Sequence, residues 1–357
     1  MTQPPATRDG SCSMKDSSAS SQSVAVDPLN AQAGRILISV VIPTFDRPDL
    51  LRRCLESLIV QTMDPLSFEI IVVADGPSMA ARKVVAELWE AALSPDLRYL
   101  ELPVHRGPAA ARNLGWKSAL GTLIAFTDDD CIAQPTWLEA GWAGLKDHRV
   151  SGLWGRIVVP IPVQPTDHEW NTKQLEQSPG ATANCFYRKR ALEAVRGFDE
   201  RFTAAWREDS DLQFMLLKGG HRLMSCQEAV VFHPARPAPW GISLRQQRNN
   251  LYNALLYKKH PRLYRSRIQQ QPPWRYYVTM AALMLTAGSA VVQWAPGIRF
   301  GMLSWLGMTA WFCAGRLRST SRKPNHIFEM AVTSALIPPL AVFWRLQGAW
   351  RFQVAFL

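Results

Sequence analysis

The feature that most constrains the fold is a regular alternation of short apolar runs with amphipathic segments, beginning near Ile36. Four of these runs are rich in β-branched residues and short enough for strands buried on both faces: RILISVVIP, FEIIVVAD, LRYLELP and GTLIAFTDDD. Between them, segments such as DRPDLLRRCLESLIVQ repeat apolar residues at helical spacing. Strands that alternate with helices predict an α/β fold with a mostly parallel sheet and right-handed crossovers.

Composition narrows the class of partner. The chain of 357 residues is 47% hydrophobic, enough for one large domain or two ordinary ones. Its formal net charge of +11 favours an anionic partner: nucleic acid, anionic lipid or an anionic substrate. No arginine-rich arm, zinc-finger spacing or aromatic RNA-binding motif is present, so we predict no nucleic-acid partner. Six scattered cysteines without a CxxC predict reduced thiols in a cytosolic compartment.

Composition also changes along the chain. Residues 1–35 are rich in Ser, Ala and Pro and contain no apolar run of signal-peptide length, so they predict a disordered tail. The alternating pattern predicts an α/β domain over 36–240, whose ligands should bind beyond the carboxyl ends of the strands. A basic linker over 241–275 and a membrane region over 276–357 follow.

Three apolar runs define the predicted membrane region. The runs 276–294 and 300–315 are about long enough to span a bilayer, which takes roughly 20 residues, and 327–344 is a third candidate interrupted by a glutamate and two prolines. Aromatic residues lie at their edges and basic residues flank the first two. The positive-inside rule then predicts a multi-pass cell-membrane protein with a cytoplasmic catalytic domain. Buried helices of a globular domain are the alternative.

Three consecutive acids, Asp128, Asp129 and Asp130, follow the fourth apolar run. Adjacent carboxylates repel, so a positive partner is expected near them. Carboxylate oxygens are hard ligands suited to Mg2+ or Mn2+, and the D-x-D spacing fits a metal diphosphate. A solvated acidic turn that caps the next helix explains the triplet equally well.

Two further residues lie where phosphates or nucleotides bind in such sheets. Asp75 closes the second apolar run and can accept hydrogen bonds from a base or ribose. Arg112 belongs to a segment that opens on Gly107 and Pro108, and helix N-termini and arginines favour phosphates. A turn residue at Asp75 and a solvated helix charge at Arg112 are the structural alternatives.

A second acidic cluster follows Trp206, an aromatic residue able to stack on a sugar or line a pocket. Glu208, Asp209 and Asp211 stand at a predicted helix start, where the helix dipole alone would favour acids. His233 ends a later apolar run and is either a metal ligand or a structural histidine.

The ordered set of motifs resembles family 2 glycosyltransferases over approximately residues 36–235. The segments that carry the resemblance are SVVIPTFDRPDLLRRCLESL, EIIVVADGPS, RGPAAARNLGW, IAFTDDDC, GFDERF and WREDSDLQFML. The resemblance implies a GT-A fold, a nucleotide-diphosphate sugar donor, a divalent metal (Mg2+ or Mn2+) and inversion at the anomeric carbon.

The resemblance also implies roles for individual residues. On the donor side it assigns Pro43, Thr44 and Asp46 to the nucleotide pocket, Asp75 to the base or ribose, and Arg112, Asp128 and Asp129 to the donor. The metal ligands are then Asp128, Asp130 and His233. Asp209 is the catalytic base beside Glu208, and Trp206 and Asp211 contact the acceptor.

The chain departs from the family at two places. Ala74 stands where many relatives have an acid before Asp75, which weakens an assignment of the base as uracil. Processive members carry Q-x-x-R-W, whereas Arg248 is followed here by Asn249, which predicts one sugar per binding event. We expect a hexosyltransferase-like enzyme whose hydroxyl acceptor is lipid-linked or part of a cell-envelope glycan. The alternatives are a sugar-phosphate nucleotidyltransferase, disfavoured by the absence of glycine from VIPTFDRPD, and a silent binding module.

Overall fold

The computed structural model describes residues 36–92 and 94–356, so the predicted disordered tail, 1–35, lies outside the described residues. The described residues form eight strands: β1 (Ile38–Thr44), β2 (Phe68–Ala74), β3 (Asp96–Glu101), β4 (Leu123–Phe126), β5 (Ile132–Ala133), β6 (Val150–Val158), β7 (Cys185–Arg188) and β8 (Arg222–Phe232). Seven helices accompany them: α1 (Pro48–Ile59), α2 (Met79–Ala92), α3 (Pro108–Ser118), α4 (Trp137–Gly144), α5 (Asp167–Lys173), α6 (Lys189–Val195) and α7 (Glu208–Lys218). Six more follow: α8 (Ile242–Gln246), α9 (Asn250–Lys259), α10 (Pro261–Arg267), α11 (Trp274–Val291), α12 (Ala295–Leu317) and α13 (Pro324–Arg351).

The strands form one mixed sheet in the order β3-β2-β1-β4-β7-β6-β8-β5. The first four are parallel to one another, β6 and β8 are also parallel, and β7 and β5 pair antiparallel to their neighbours. The prediction of a mostly parallel α/β sheet is therefore confirmed. Because the parallel strands β1, β2 and β4 run side by side, the loops after Thr44, Ala74 and Phe126 emerge at one edge.

Helices cover both faces of the sheet. Ile42 of β1 faces the cluster formed with α1 and α2, and its neighbour Val41 faces the cluster formed with α3. A continuous apolar strand is therefore required, since each face of β1 is buried. Gly115 allows α3 to approach closely, because a Cβ there would clash with Cγ1 of Val41.

The segment predicted as a basic linker, 241–275, is helical and packed. Helices α8, α9 and α10 fill most of it, and their apolar residues form a third cluster beneath α7. That cluster joins Phe214 of α7, Tyr264 of α10 and the C-terminal Phe356, all 1% exposed or less. The helical packing of this segment was not expected from its composition, because short helices with basic outer faces resemble a polar connection in sequence.

The three C-terminal apolar runs are helices, but the predicted multi-pass arrangement is not supported. Within 36–92 and 94–356, only α13 is long and apolar enough to cross a membrane, with a mean hydropathy of 1.6 over its best 18 residues. It continues through Pro338 and Pro339, which were expected to weaken it. Helices α11 and α12 contain arginine, glycine, serine, threonine and tryptophan residues, which lower their mean hydropathy.

Candidate active site

Asp129 is turned into the protein at the edge where β1 and β4 end. It is 2% exposed, and its Oδ2 accepts a hydrogen bond from Oγ1 of Thr44 at 2.8 Å. Its Oδ1 pairs with Nη1 of Arg47 at 3.0 Å. Burial raises the pKa of the Asp129 carboxyl, and Arg47 opposes that rise. Asp129, predicted to bind the donor, thus holds together the loops that follow two strands.

Arg112 connects the two acidic clusters of the site. This guanidinium is almost completely buried, with Nη2 2.7 Å from Oδ1 of Asp128 and Nη1 3.0 Å from Oε1 of Glu208. Burial favours the neutral form of Asp128, but Arg112 and His233 outweigh it and the pKa of Asp128 falls. The arginine that was predicted to bind the donor therefore bridges residues from β4 and α7.

Asp130 and His233 face each other at the same edge. Oδ1 of Asp130 lies 3.4 Å from Nε2 of His233, and its Oδ2 lies 3.0 Å from Nε of Arg236. The other ring nitrogen of His233 is buried without a hydrogen-bond partner among the described residues. Cys131 completes a group whose ligand atoms lie within 4.8 Å of one another.

The chemistry of these donors fits a hard divalent cation. A carboxylate oxygen and an imidazole nitrogen suit Mn2+ or Mg2+. Burial, and then the nearby aspartates, raise the pKa of the Cys131 thiol well above its usual range, and sulfur is a softer ligand than these cations prefer. Asp130 and His233 are therefore the residues that could hold a metal, with Asp128 close to them in the chain.

Asp75 organises the loop before α3. Its Oδ1 accepts a hydrogen bond from the backbone N of Arg106 at 2.7 Å, and its Oδ2 accepts one from the N of Gly107 at 2.9 Å. His105 contacts Oδ2 through Nδ1 at 2.9 Å and stacks on the ring of Phe45. A left-handed φ of 95° at Gly107 permits this turn. The predicted contact of Asp75 with a base or ribose stays a prediction.

The nucleotide-pocket residues and the two acids of α7 lie in contrasting environments. Pro43 and Thr44 are buried in β1, whereas Asp46 is exposed. Glu208 is 3% exposed; burial raises its pKa to about 7, the adjacent Asp209 adds to the rise and Arg112 opposes it. Asp209 is partly exposed, and its Oδ1 accepts a hydrogen bond from the backbone N of Ser210.

The two predicted acceptor residues are placed differently. Trp206 is 38% exposed beside the start of α7. Asp211 is completely buried, with Oδ2 2.6 Å from Nζ of Lys259 and Oδ1 2.9 Å from Nε2 of His260. Because both oxygens of Asp211 are paired inside the protein, we do not retain it as an acceptor contact.

Sequence reasoning missed four residues of this region: Arg47, His105, Arg236, and Asn253, whose Oδ1 accepts a hydrogen bond from Nε of Arg207. Arg47 and Arg236 lie within four positions of predicted residues, and His105 belongs to the loop that Asp75 holds. Their proximity in the chain to predicted residues could therefore have indicated them. Asn253 lies in the segment interpreted as a linker, and nothing in the sequence marked it.

Two family models match the chain. The model of Glycosyl transferase family 2 matches residues 39–197, and that of Glycosyl transferase family group 2 matches residues 167–344. Together they extend from β1 to α13 and include all the acids described above.

Individual relatives agree. Glycosyltransferase AglE of Haloferax volcanii is 27% identical over 219 residues, covering 59% of this chain and 70% of that protein. The pre-mycofactocin glycosyltransferase of Mycobacterium tuberculosis is 31% identical over 216 residues, covering 56% of this chain and 43% of that protein. The chain thus spans less than half the length of the second relative.

A solved structure shares the fold. The mannosyltransferase PcManGT from Pyrobaculum calidifontis, in complex with GDP-Man and Mn2+, superposes with a TM-score of 0.57 at 18% identity and covers 87% of each chain. The GT-A fold expected from the motifs is confirmed. The chain belongs to glycosyltransferase family 2 and is a glycosyltransferase.

Proposed function

We propose that this enzyme is an inverting, metal-dependent and non-processive glycosyltransferase that moves a sugar from a nucleotide diphosphate to a hydroxyl acceptor. The observation that carries the proposal is the bridge through Arg112. It joins the strand edge that bears Asp128 and Asp130 to the helix that bears Asp209. Donor-binding groups and a candidate base thus belong to one connected site.

On the donor side, Asp130 and His233 would hold the divalent cation, with Asp128 beside them. A metal held there would supply positive charge to stabilise the departing diphosphate. Asp128 orients the donor, Asp129 fixes Thr44 and Arg47 in the adjoining loop, and Thr44, Pro43 and Asp46 with Asp75 border the nucleotide. The mannosyltransferase PcManGT, which shares the fold and was solved with GDP-Man and Mn2+, supports this class of donor and metal.

On the acceptor side, Asp209 accepts the proton of the attacking hydroxyl. It is the more accessible of the two acids that begin α7, because Glu208 is buried against Arg112. A general base must reach the hydroxyl directly, so exposure favours Asp209. Trp206, exposed one turn earlier, offers a ring on which the acceptor sugar or lipid can pack.

We further propose that the enzyme works at a membrane through α13, with its catalytic domain on the cytoplasmic face. Basic residues flank the C-terminal helices, which fits the positive-inside rule. Large apolar side chains on these helices are strongly exposed: Trp274, Met284, Val291, Phe300, Leu303, Phe328 and Trp350. An apolar surface of this extent needs a cover, and lipid supplies one. A lipid-linked or cell-envelope acceptor follows from that location.

A donor screen tests the proposal. Purified full-length protein is incubated with Mn2+, a detergent extract of membrane lipids and a panel of nucleotide sugars, and released nucleotide diphosphate is measured. One donor should be consumed, EDTA should abolish the reaction, and NMR of the product should show an inverted anomer. Release in EDTA would exclude the metal role, a retained anomer would exclude direct displacement, and no release from any donor would exclude the transferase itself.

A further inference from the structure

Arg207 is the arginine of the candidate active site that lacks a carboxylate partner. The other three near the aspartates each pair with an acid: Arg47 with Asp129, Arg112 with Asp128 and Glu208, and Arg236 with Asp130. Within the part of the chain that the structure describes, no acid forms an ion pair with Arg207. Asp209 and Glu208 act on its charge without forming an ion pair with it.

The side chain of Arg207 is nevertheless fixed. Its Nε donates a hydrogen bond to Oδ1 of Asn253 at 2.8 Å, and the guanidinium lies over the ring of Trp206, 4.6 Å from the centroid. Asn253 is itself 5% exposed and donates to Asn250. The backbone of Arg207 is left-handed, with φ of 75°, a conformation that non-glycine residues adopt only when their surroundings enforce it.

A fixed and partly buried guanidinium without a counterion favours an anionic ligand. Burial lowers the pKa of Arg207, and Asp209 opposes that fall. The amino nitrogens of arginine donate in a planar fork that matches the oxygens of a phosphate. Because Asn253 engages only Nε, the two amino groups are available for such a contact.

The position of Arg207 indicates which substrate carries the anion. It precedes Asp209 by two residues, and the base must lie beside the acceptor hydroxyl. Its anchor, Asn253, belongs to α9, which packs on α13 so closely that a Cβ at Gly348 would lie 2.5 Å from the carbonyl oxygen of Leu251. Arg207 thus lies on the acceptor side, one helix away from the most apolar helix of the chain.

We propose that Arg207 binds a phosphate group of the acceptor, so that the acceptor is a phosphate ester. The inference rests on the proposed function, because it takes Asp209 as the base. A lipid phosphate and a soluble phosphate ester share this chemistry, and the experiment below separates the two sources.

The test measures binding of dodecyl phosphate, dodecanol and inorganic phosphate to the full chain in detergent by calorimetry. Wild type should bind dodecyl phosphate roughly ten- to a hundredfold more tightly than dodecanol, as expected for hydrogen bonds to a charged group. Arg207→Gln should lose that preference, and Arg207→Lys should keep part of it. Arg262→Gln, which removes an equal charge from the exposed face of α10, should bind as wild type does.

Binding of dodecyl phosphate without binding of inorganic phosphate supports a lipid acceptor, and binding of both supports a soluble phosphate ester. Equal affinities in wild type and Arg207→Gln overturn the proposal. An increased donor KM in Arg207→Gln also overturns it, because the arginine would then serve the donor diphosphate. Metal-dependent release of nucleotide from the donor by the wild type, assayed without acceptor, tests the proposed function separately, and its absence would count against that function rather than against the role of Arg207.

Discussion

At the scale of single residues, Glu208 and Asp209 show how burial divides roles between neighbouring acids. Glu208 lies inside the protein against Arg112, whereas Asp209 is partly open to solvent. Burial raises the pKa of Glu208. We therefore expect one of them to position the site and the other to exchange protons with substrate.

Replacing Asp209 by Asn should lower turnover by roughly a hundred- to ten-thousandfold, the range for loss of a general base. The amide keeps the shape of the side chain but cannot accept the proton. The KM for the donor should change little, since the metal site is untouched. Steady-state kinetics measure this effect. Near-normal turnover in Asp209→Asn together with an inactive Glu208→Gln would identify Glu208 as the base.

Glu208 should make stability depend on pH. Its pKa is about 7 in the folded protein against 4.5 ordinarily, so its contribution to stability is full below about pH 4.5 and is lost as pH rises through 7. The loss corresponds to roughly 3 kcal/mol. Relative to wild type, Glu208→Gln should therefore gain stability between pH 5 and pH 8 in thermal melts. Glu56→Gln, at an exposed position of α1, is the control, and parallel curves for wild type and Glu208→Gln would refute the assignment.

His233→Ala should raise the Mn2+ concentration that gives half-maximal activity by at least roughly tenfold, since an imidazole ligand is lost. Cys131→Ala should leave that concentration nearly unchanged, because Mn2+ and Mg2+ prefer oxygen and nitrogen ligands to sulfur. Titration of metal into EDTA-treated protein provides the measurement. A larger effect at Cys131 than at His233 would identify sulfur as the ligand.

The sequence indicated the acids of the site far better than their partners. Asp128, Asp130 and Asp209 stand out because several carboxylates follow apolar runs. The pairing of these acids with cations does not stand out, because it joins distant parts of the chain: Arg112 was predicted to bind the donor, but its partner Glu208 is 96 positions away. Asp211 was misjudged for the same reason, since Lys259 and His260 are brought to it only by the fold.

At the scale of elements, Asp211 links α7 to the end of α9 through Lys259 and to the turn before α10 through His260. Lys259 also pairs with Asp199, so one ammonium joins the loop before α7 to the helix itself. Phe214 packs edge-on against the ring of His260. This attachment fixes the helix that begins with Glu208 and Asp209.

Asp211→Asn should destabilise the protein by about 3–5 kcal/mol, because it leaves the buried His260 without its anionic partner and Lys259 with Asp199 alone. The expected readout is a lower melting temperature of the full chain in detergent. Asp49→Asn, at an exposed position in the first turn of α1, removes the same charge and should melt close to wild type. Equal melting of the two variants would show that the buried pairs contribute nothing.

Elements with a strong repeating pattern were predictable and short ones were not. The first four strands and α1 to α3 follow from alternation and spacing, because both faces of the sheet must be apolar. Helices α8 and α10, of five and seven residues, are too short to show an amphipathic period. Tertiary packing rather than local preference therefore defines them.

At the scale of the whole molecule, the C-terminal helices are part of the catalytic fold rather than an appended anchor. Arg316 of α12 forms a buried ion pair with Asp167 of α5 at 2.8 Å. Glu329 of α13 accepts a hydrogen bond from the backbone N of Gly241. Phe356 then enters the cluster beneath α7.

Phe356→Ala should therefore cost about 3–5 kcal/mol, the usual range for emptying a buried aromatic position. Phe343→Ala removes the same side chain from an exposed position of α13, where 56% of it is accessible, and should cost much less. Thermal melting of both variants in detergent gives the comparison.

A chain that ends at Lys323 should lose the fold of α7 and α9 and be cut rapidly by protease. A soluble, active product would contradict the view that α13 is part of the catalytic fold.

The close approach of Gly348 to the carbonyl of Leu251 leaves no side-chain layer between α13 and α9. Two backbones in contact cannot slide or tilt as helices separated by flexible side chains do. With the exposed apolar face of α13 against a bilayer, the candidate active site is consequently held at one height and one angle above the lipid surface. Which hydroxyl contacts Asp209 then depends on the length of the acceptor and not on a movement of the enzyme relative to the lipid surface.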